Sequence, residues 1–407
     1  MPARRLGGRP EPSHGGAGKD DVSRGGNETM RITIKGILAG ASMLGMAAAA
    51  NAQQLTFAGG WPPGSAPTRM IEDYAKALEE YSNGEVTMKV FPLSLLSFAE
   101  VNAGVRDGIA DAAGNLTAYF PAEYPNLNML SEFSELVELE QFAGELSSTA
   151  FAGAITEYVM LNCPDCQQEV AAQNQVYLGA GSTTSYVLQC VVPLNSAADL
   201  EGKRIRAAGA YWARWAETVG AVPVSMSVNE TLEGLNQGVL DCTASNTADF
   251  VNFSFIDVVK YVYVGLPGAQ FNVPFTINKD SWNSLSDSAK QAMLRANAKL
   301  MADVTWVYIE EARAGKERAP GLGIEYGSAA DDMVALNREF IAKDKDAVAS
   351  IYKERFGIET GAAAADALNA LLVKWTDLTK GVEGGDALAQ LYEDEIFSKV
   401  DVGSYGK

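Results

Sequence analysis

Histidine is almost missing from this sequence, which contains a single one, His14, in 407 residues. His14 lies in a leader segment described below, so the rest of the chain has no imidazole. General acid–base catalysis by histidine and zinc sites with histidine ligands are therefore excluded there. Carboxylates, lysine, serine and cysteine can still serve an enzyme, so this absence argues against catalysis without ruling it out.

Motifs for catalysis or cofactor binding are also missing. The sequence has no Gly-x-Ser-x-Gly, no phosphate-binding glycine loop and no spacing typical of metal ligands. The acidic pairs Glu79-Glu80 and Glu310-Glu311 fall on helix faces, where exposure to solvent explains them. We therefore expect no catalytic residue, no cofactor and no metal site, and the protein is predicted not to be an enzyme.

Basic residues are in the minority, with 32 Lys and Arg against 51 Asp and Glu. Removing residues 1–52 takes away seven basic and four acidic residues and leaves 25 against 47, a formal charge of −22. A chain this negative is not expected to bind nucleic acid. The same field repels an anionic ligand, so a site for an anion must depend on local cations and hydrogen-bond donors.

Long apolar runs are absent apart from one short segment near the N-terminus. Residues 30–52 begin with Met-Arg, contain Lys35, continue as an apolar stretch over 36–49 and end in Ala-Asn-Ala, the pattern of a secretion signal cleaved before Gln53. The stretch is too short to span a bilayer and no later segment is long enough, so the mature chain is predicted to be exported and to cross no membrane. Residues 1–29 are either a mis-assigned start or an unstructured extension, and we favour the former.

Four cysteines follow the leader, and an even number in an exported protein indicates two disulfides, with three possible pairings. Cys163-Pro-Asp-Cys166 has the spacing of a redox motif, which needs a strand before a helix. Here the motif follows a helical pattern and precedes a polar stretch, so a local structural disulfide is favoured over redox activity. Cys190 is then expected to pair with Cys242.

Strand and helix patterns alternate along the first part of the mature chain. In order, these are a strand at 55–58, a helix at 70–81 that Asn83-Gly84 ends, a strand at 86–90, a helix at 98–106 and a strand at 108–113. This βαβαβ order implies a parallel sheet, whose ligand edge is at the carboxyl ends of its strands.

The pattern repeats after a long helical region near 141–162. The second set comprises strands at 186–191 and 204–207, a helix at 211–219, a strand at 223–226, a helix at 230–237 and a strand at 239–242. Strands at 261–264 and 275–278 are expected to return the chain across a hinge. Ser286 is predicted to cap one helix that runs to about Arg318, is about 50 Å long and braces both lobes.

About 355 residues are too many for one simple core, so the mature chain is predicted to form two α/β lobes. The expected boundaries are a leader over 1–52, lobe I over 53–183 with about 265–300, lobe II over 184–264 with about 301–330, and outer helices over 331–407.

Several short motifs occur together in a specific order. Residues 197–206 read Ala-Ala-Asp-Leu-Glu-Gly-Lys-Arg-Ile-Arg, residues 220–224 read Gly-Ala-Val-Pro-Val, and residues 229–241 read Asn-Glu-Thr-Leu-Glu-Gly-Leu-Asn-Gln-Gly-Val-Leu-Asp. Earlier come Ser-Asn-Gly at 82–84, before a strand that ends in Val-Phe-Pro, and Val-Arg-Asp-Gly at 105–108. Each piece is weak alone, but their order and spacing resemble the solute-binding proteins of TRAP transporters, the DctP-type family, through most of residues 54–320.

The resemblance implies a two-lobe fold like that of periplasmic binding proteins, with a long helix spanning both lobes. It also implies a periplasmic protein that binds C4-dicarboxylates or other organic acids. The partners it implies are a small organic anion and the small and large integral-membrane subunits of a TRAP transporter. An extracytoplasmic sensor subunit that reports its ligand to a membrane receptor would have the same fold, and this alternative stays open.

Arg206 matches the arginine that, in the family, forms a salt bridge with a ligand carboxylate. The chemistry of arginine supports the same role, because a guanidinium holds a carboxylate or sulfonate through two parallel hydrogen bonds. Arg206 also lies at the carboxyl end of a strand before a glycine turn, where such sheets form their sites. Arg204 is on the same strand face and is interpreted as a solvated or structural arginine.

The sequence departs from the family at three positions. Many relatives carry a second arginine where this chain has Tyr186, after Thr183-Thr184-Ser185. The family's bulky aromatic aligns with Val228, and its asparagine after the Val-x-Asp strand aligns with Ser245, beside Asn246. These departures argue against a ligand whose two carboxylates each need an arginine and favour a monocarboxylate, a hydroxy acid or a small sulfonate.

Aromatic and amide side chains are the remaining candidate ligand contacts. Trp212 lies in the first turn of the helix after Arg206, where backbone N–H groups favour an anion. Trp215, one turn further, is interpreted as either a pocket or a core residue. The other candidates are Trp61, Asn115, Phe271 and Asn272.

Overall fold

Two β-sheets surrounded by helices organise residues 52–407, which are the residues that the computed structural model describes. The predicted leader lies outside this range apart from Ala52. The strands are β1 (Gln53–Gly59), β2 (Val86–Pro92), β3 (Ala112–Gly114), β4 (Gln175–Ser182), β5 (Val187–Cys190), β6 (Arg204–Ala207), β7 (Val222–Ser225), β8 (Cys242–Ser245), β9 (Tyr261–Pro267), β10 (Asn272–Asn278) and β11 (Glu325–Ser328).

Helices cover both sheets. They are α1 (Ala66–Tyr81), α2 (Val101–Arg106), α3 (Pro125–Glu132), α4 (Ser147–Asn162), α5 (Pro164–Ala172), α6 (Ala210–Thr218), α7 (Val228–Asn236), α8 (Asp249–Asn252), α9 (Lys279–Ser284), α10 (Asp287–Arg318), α11 (Asp331–Phe356), α12 (Gly361–Leu378) and α13 (Gly385–Glu395). Within residues 52–407, none of them is long and apolar enough to cross a membrane.

The first sheet has the strand order β2-β1-β3-β10-β4. Its first three strands are parallel, as the βαβαβ pattern predicts, whereas β10 runs antiparallel to both β3 and β4. Helix α1 buries Ile71, Tyr74 and Leu78 against this sheet, and Asn83 and Gly84 end the helix with positive φ angles of 50° and 78°. The prediction of a parallel sheet is therefore wrong only for β10, the strand that returns the chain from the second sheet.

The second sheet has the order β11-β9-β5-β8-β6-β7. β6 runs parallel to β7 and β8, so the carboxyl ends of these three strands meet at one edge. β5 runs antiparallel to β8 and β9. Strand β8 starts at Cys242, three residues after the predicted start, because Gly238 turns the chain at a φ of 66° and residues 239–241 stay outside the strand.

The chain passes three times between the two sheets. We call residues 53–182 and 272–284, which carry the first sheet, lobe I, and residues 187–267 and 325–328, which carry the second, lobe II. Two crossings are the short segments 183–186 and 268–271, and the third is made by α10, the long helix that leads to β11. This two-lobe arrangement confirms the predicted fold class, while the predicted domain boundaries themselves stay a prediction.

Helix α10 contacts both lobes over its length. The Ser286 hydroxyl accepts a hydrogen bond from the backbone N–H of Ala289 at 3.1 Å, so Ser286 is the N-cap that the sequence predicts. The helix packs on α1 and β4 of lobe I, and its middle part lies against β4, where Gly181 meets Met301 and Val304. Near its end, Gly315 lies so close to Thr247 of lobe II that an added Cβ would stand 2.9 Å from the threonine methyl group.

Both predicted disulfides are present. Cys163 is bonded to Cys166 at the start of α5, and Cys190 is bonded to Cys242 across β5 and β8, where the two residues lie opposite each other in the register. The second bridge therefore fastens two neighbouring strands at the amino end of β8, opposite the edge at which β6 and β8 end. Residues 331–407 are helical, as expected, and pack on lobe I through α12 and α13.

Candidate ligand-binding site

Arg206 lies near the carboxyl end of β6 and is only 1% exposed. Its guanidinium donates from Nε to the Met226 carbonyl at 3.0 Å and from Nη1 to the Ala244 carbonyl at 3.3 Å. Nη2 donates to the Tyr119 hydroxyl at 2.7 Å. No carboxylate within residues 52–407 comes within 4.0 Å of this buried cation, so its charge has no direct ion-pair partner there.

Arg204, two residues earlier, has a different environment. Its Nε and Nη2 donate to the two carboxylate oxygens of Asp241 at 2.9 and 2.7 Å, a bidentate ion pair at the protein surface. Hydrogen bonding to Arg204 lowers the pKa of Asp241. The structural interpretation of Arg204 thus fits its contacts.

A narrow cavity lies beside Arg206, next to the segments 183–186 and 268–271 that join the lobes. Its free volume is about 20 Å³, enough for one water molecule, so the lobes must move apart to admit a ligand. The predicted site residues among its lining are Trp61, Tyr186, Arg206, Asn246 and Phe271. The other lining residues are Phe98, Leu116, Tyr119, Thr183, Val228, Asp249, Phe253, Val273 and Tyr308.

Stacked aromatic rings form one wall of the cavity. The rings of Tyr186, Trp212 and Phe271 contact one another at interplanar angles of 12° to 27°, with centroid distances of 4.5 Å for Tyr186 and Trp212, 5.8 Å for Trp212 and Phe271, and 6.2 Å for Tyr186 and Phe271. Trp212 stands behind this wall and donates from Nε1 to the Gly268 carbonyl at 3.1 Å. Burial raises the pKa of Tyr186 well above its usual value, so its hydroxyl keeps its proton.

The opposite side is formed by residues from the first loop and the long helix. Trp61 packs edge-on against Phe98, with centroids 4.7 Å apart, and its Nε1 donates to the Tyr308 hydroxyl at 3.0 Å. Burial also raises the pKa of Tyr308. The pocket role predicted for Trp61 fits this position.

Asp249 is a buried carboxylate in the same cavity, at the start of α8. Its Oδ2 accepts hydrogen bonds from the Ser245 hydroxyl and, at 2.9 Å, from the Asn246 amide. Within residues 52–407, no hydrogen bond reaches its other oxygen, Oδ1. Burial raises the pKa of Asp249 to about 6, and the hydrogen bond from Ser245 and the charge of Arg206 oppose that rise.

Some predicted contacts lie outside the cavity lining. The Asn115 amide donates to the Tyr124 hydroxyl and to the Gln175 side chain, both at 3.0 Å, inside lobe I. Ser245 reaches the site only through Asp249. Trp215 is fully buried and Asn272 lies behind Phe271, in a neighbouring small cavity that Trp212 also lines. The structure therefore does not bring these residues to the cavity surface, and their role as ligand contacts stays a prediction.

Tyr119, Asp249 and Tyr308 are cavity residues that sequence reasoning missed. Tyr119 follows β3 in a single helical turn, and Asp249 begins a helix of four residues, both too short for a periodic pattern. The position of Asp249 three residues after Asn246, next to the predicted edge of β8, was the available signal. Nothing in the sequence of α10 marks Tyr308 as different from its buried neighbours.

Metal ligands do not cluster in this site. Across residues 52–407, the structure contains no group of three or more Asp, Glu, Cys or His side chains that could hold a metal ion.

Comparisons with known proteins identify the family. Residues 57–356 match the family described as bacterial extracellular solute-binding protein, family 7. A solute-binding protein from Chromohalobacter salexigens is 21% identical over 327 residues, which cover 74% of this chain and 88% of that protein. The chain therefore belongs to the bacterial extracellular solute-binding protein family 7, and it is a binding receptor and not an enzyme.

Solved structures share the fold. A marine metagenome TRAP solute-binding protein specific for pyroglutamate has a TM-score of 0.66 and 17% identity, covering 79% of this chain and 99% of its own. A TRAP periplasmic solute-binding protein from Bordetella bronchiseptica with bound (R)- and (S)-mandelate has a TM-score of 0.65 and 22% identity, with the same two coverages of 79% and 99%. The resemblance to TRAP solute-binding proteins is thus confirmed.

Proposed function

We propose that this protein is a periplasmic receptor that captures a small organic anion beside Arg206 and delivers it to the small and large membrane subunits of a TRAP transporter. One observation carries the proposal: Arg206 is buried, and no carboxylate of residues 52–407 pairs with it directly. A buried cation without a counter-ion is costly, so a ligand carboxylate or sulfonate gains strongly by pairing with it.

The guanidinium has hydrogen atoms left for a ligand. It carries five N–H donors, and the contacts to Met226, Ala244 and Tyr119 occupy three of them. Two donors on the Nη atoms therefore remain, which is the number that one carboxylate needs. A single cation favours a ligand with one anionic group over a dicarboxylate.

The cavity also favours a compact ligand. Half of its fourteen lining residues are aromatic, and the stacked Tyr186 and Phe271 rings present a flat apolar surface. The similar structures hold ligands of this kind, pyroglutamate in one and mandelate in another. Because both lobes contribute to the lining, closing the lobes around the ligand would exclude water and strengthen each polar contact.

Calorimetric titration of the purified protein against small organic acids tests the proposal. With the acid that binds best, Arg206→Ala should lower the affinity at least about a hundredfold, because a buried interaction with a charged group is lost. Arg206→Lys should recover only part of the loss, since an ammonium lacks the forked geometry. Arg204→Ala is the matched control and should bind nearly as the unaltered protein does. Unchanged affinity in Arg206→Ala would contradict the proposal.

Delivery needs its own experiment. Proteoliposomes that contain the two membrane subunits should take up the labelled acid only when this protein is added on the outside. Uptake at the same rate without it would argue for the sensor alternative.

A further inference from the structure

Arg206 and Asp249 line the same cavity with opposite charges but do not form an ion pair. Their charged atoms lie more than 4.0 Å apart, since no salt bridge joins them, and yet the charge of Arg206 opposes the rise in the pKa of Asp249. Both side chains face the same cavity, so a ligand admitted by opening of the lobes can contact both charges. A ligand with one anionic group and one hydrogen-bond donor can pair with Arg206 and Asp249 at the same time.

Asp249 is held in place by contacts on one side only. Ser245 and Asn246 both donate to Oδ2, and the backbone N–H of Asp249 donates back to the Asn246 amide oxygen at 3.2 Å. These contacts fix the carboxylate without using Oδ1. Because a carboxylate oxygen accepts up to two hydrogen bonds, Oδ1 is an available acceptor in the cavity.

The other polar groups of the cavity are mainly donors. Tyr308 accepts a hydrogen bond from Trp61, and its own hydroxyl proton has no acceptor among residues 52–407. The Thr183 hydroxyl is already occupied, since it donates to the Thr184 carbonyl and accepts from the Phe271 backbone N–H. Arg206 and Tyr308 thus offer hydrogen atoms to a ligand, whereas Asp249 Oδ1 is a charged acceptor.

A plain carboxylate would leave this acceptor unpaired. Its anionic group would pair with Arg206, while its hydrocarbon part would cover Asp249 and remove water from a charged oxygen. Burying a carboxylate without a donor costs far more than burying a paired one. A ligand with a hydroxyl or N–H group at the right position avoids that cost.

We propose that Asp249 selects the ligand, resting on the proposed function of Arg206: the bound molecule carries, beside its carboxylate, an O–H or N–H donor that bonds to Asp249 Oδ1. The ligand class is thus a hydroxy acid, a lactam acid or an amino acid, on a compact and flat skeleton. Simple fatty or aromatic carboxylates belong outside it.

Matched pairs of acids test this selection by titration calorimetry on the purified protein. Mandelate is compared with phenylacetate, which lacks only the hydroxyl group, and pyroglutamate with cyclopentanecarboxylate, which lacks the lactam. Proline represents an ammonium donor. The unaltered protein should bind the donor-bearing member of at least one pair at least about tenfold more tightly than its partner. Tighter binding of proline than of both neutral donors would identify the donor as cationic.

Substitutions of Asp249 test whether this residue, and not the rest of the cavity, causes the preference for donor-bearing acids. Asp249→Ala should bring the affinity ratio of the pair to within about threefold, whereas Asp249→Asn, which keeps a carbonyl oxygen, should retain a preference for the neutral donors. Asp257→Ala, an exposed carboxylate eight residues later, should leave the ratio unchanged. Circular dichroism shows whether each variant is folded.

The outcomes distinguish this inference from the proposed function. Equal affinity of the unaltered protein for both members of each pair would overturn the role of Asp249, even if no variant folds. The role of Arg206 would stand in that case if Arg206→Ala still lost binding. Full affinity of Arg206→Ala with an intact donor preference would overturn the proposed role of Arg206 alone. Failure of every donor-bearing acid to bind would overturn the ligand class.

Discussion

The hydroxyl of Tyr119 accepts a hydrogen bond from Arg206 Nη2 at 2.7 Å and a second one from the backbone N–H of Val228 at 3.0 Å. Tyr119 belongs to lobe I, and the two donors belong to lobe II. The residue that fixes the orientation of Arg206 thus also joins the lobes. Ligand binding and lobe closure therefore share a polar contact.

Removing this hydroxyl should destabilise the protein measurably. Tyr119→Phe leaves two buried donors, one of them charged, without their acceptor, which should lower the free energy of unfolding by about 1–3 kcal/mol. Urea denaturation without ligand measures the change. Tyr81→Phe is the control, because the Tyr81 hydroxyl makes no hydrogen bond within residues 52–407. An equal effect of both substitutions would contradict the role of Tyr119.

Asn229 connects the lobes outside the cavity. From α7 of lobe II, its amide donates to the Gly60 carbonyl at 2.9 Å and accepts from the Phe98 backbone N–H at 3.4 Å, both in lobe I. Asn229→Ala should disfavour the closed arrangement and weaken ligand binding about tenfold, mainly by faster dissociation. Surface plasmon resonance measures the rates. Asn236→Ala, an exposed residue of the same helix, should bind normally, and a normal dissociation rate in Asn229→Ala would refute the idea.

The sequence predicted best where local signals and burial agree. Strand β6 has the predicted bounds of 204–207 because alternating residues and a following glycine turn mark both ends. Strand β4 went unpredicted because it contains Gly179 and Gly181, which strands disfavour. Gly181 is explained only by tertiary structure, since an added Cβ would stand 3.2 Å from Val304 of α10.

In the candidate site, too, local sequence features could be predicted and contacts made by tertiary packing could not. Arg206 was predictable because its strand and turn are local features. Asp249 and Tyr308 reach the cavity through the packing of α8 and of the long helix, which no spacing along the chain encodes. Asn115 follows a strand as predicted, yet its amide points into lobe I, where it donates hydrogen bonds to both Tyr124 and Gln175.

The two disulfides should differ in their contribution to stability. Cys190 and Cys242 are 52 residues apart, whereas Cys163 and Cys166 are three apart. Loop-closure entropy then gives about 4 kcal/mol for the long loop and about 2 kcal/mol for the short one. Serine replacements of each pair, followed by denaturant unfolding, should show the larger loss for the Cys190 and Cys242 pair. The reverse order would show that native contacts, and not chain entropy, decide the difference.

Glu135 is a fully buried carboxylate whose two oxygens have no hydrogen-bond partner within residues 52–407. Nearby, Arg214 bonds to Asp344 and Glu132, so this cation is already paired with two carboxylates. Burial and then the charge of Asp344 raise the pKa of Glu135 to about 9. The folded protein therefore holds a neutral Glu135 at neutral pH, while the unfolded chain ionises it at the ordinary value of 4.5.

This difference sets the sign of a pH dependence. Between pH 4.5 and about 9 the folded state binds one more proton at Glu135 than the unfolded state does, so stability from this group falls as the pH rises through that window. Glu135→Gln removes the ionisation and keeps the shape, so its melting temperature should fall less steeply from pH 6 to pH 9 and should exceed that of the unaltered protein near the upper end. Differential scanning calorimetry across this range measures both. Glu72→Gln, at an exposed position on α1, is the control and should follow the unaltered protein. If the melting temperature of Glu135→Gln fell with pH as steeply as that of the unaltered protein, Glu135 would already be charged in the folded protein. A carboxylate that is charged in both states adds no pH dependence to stability.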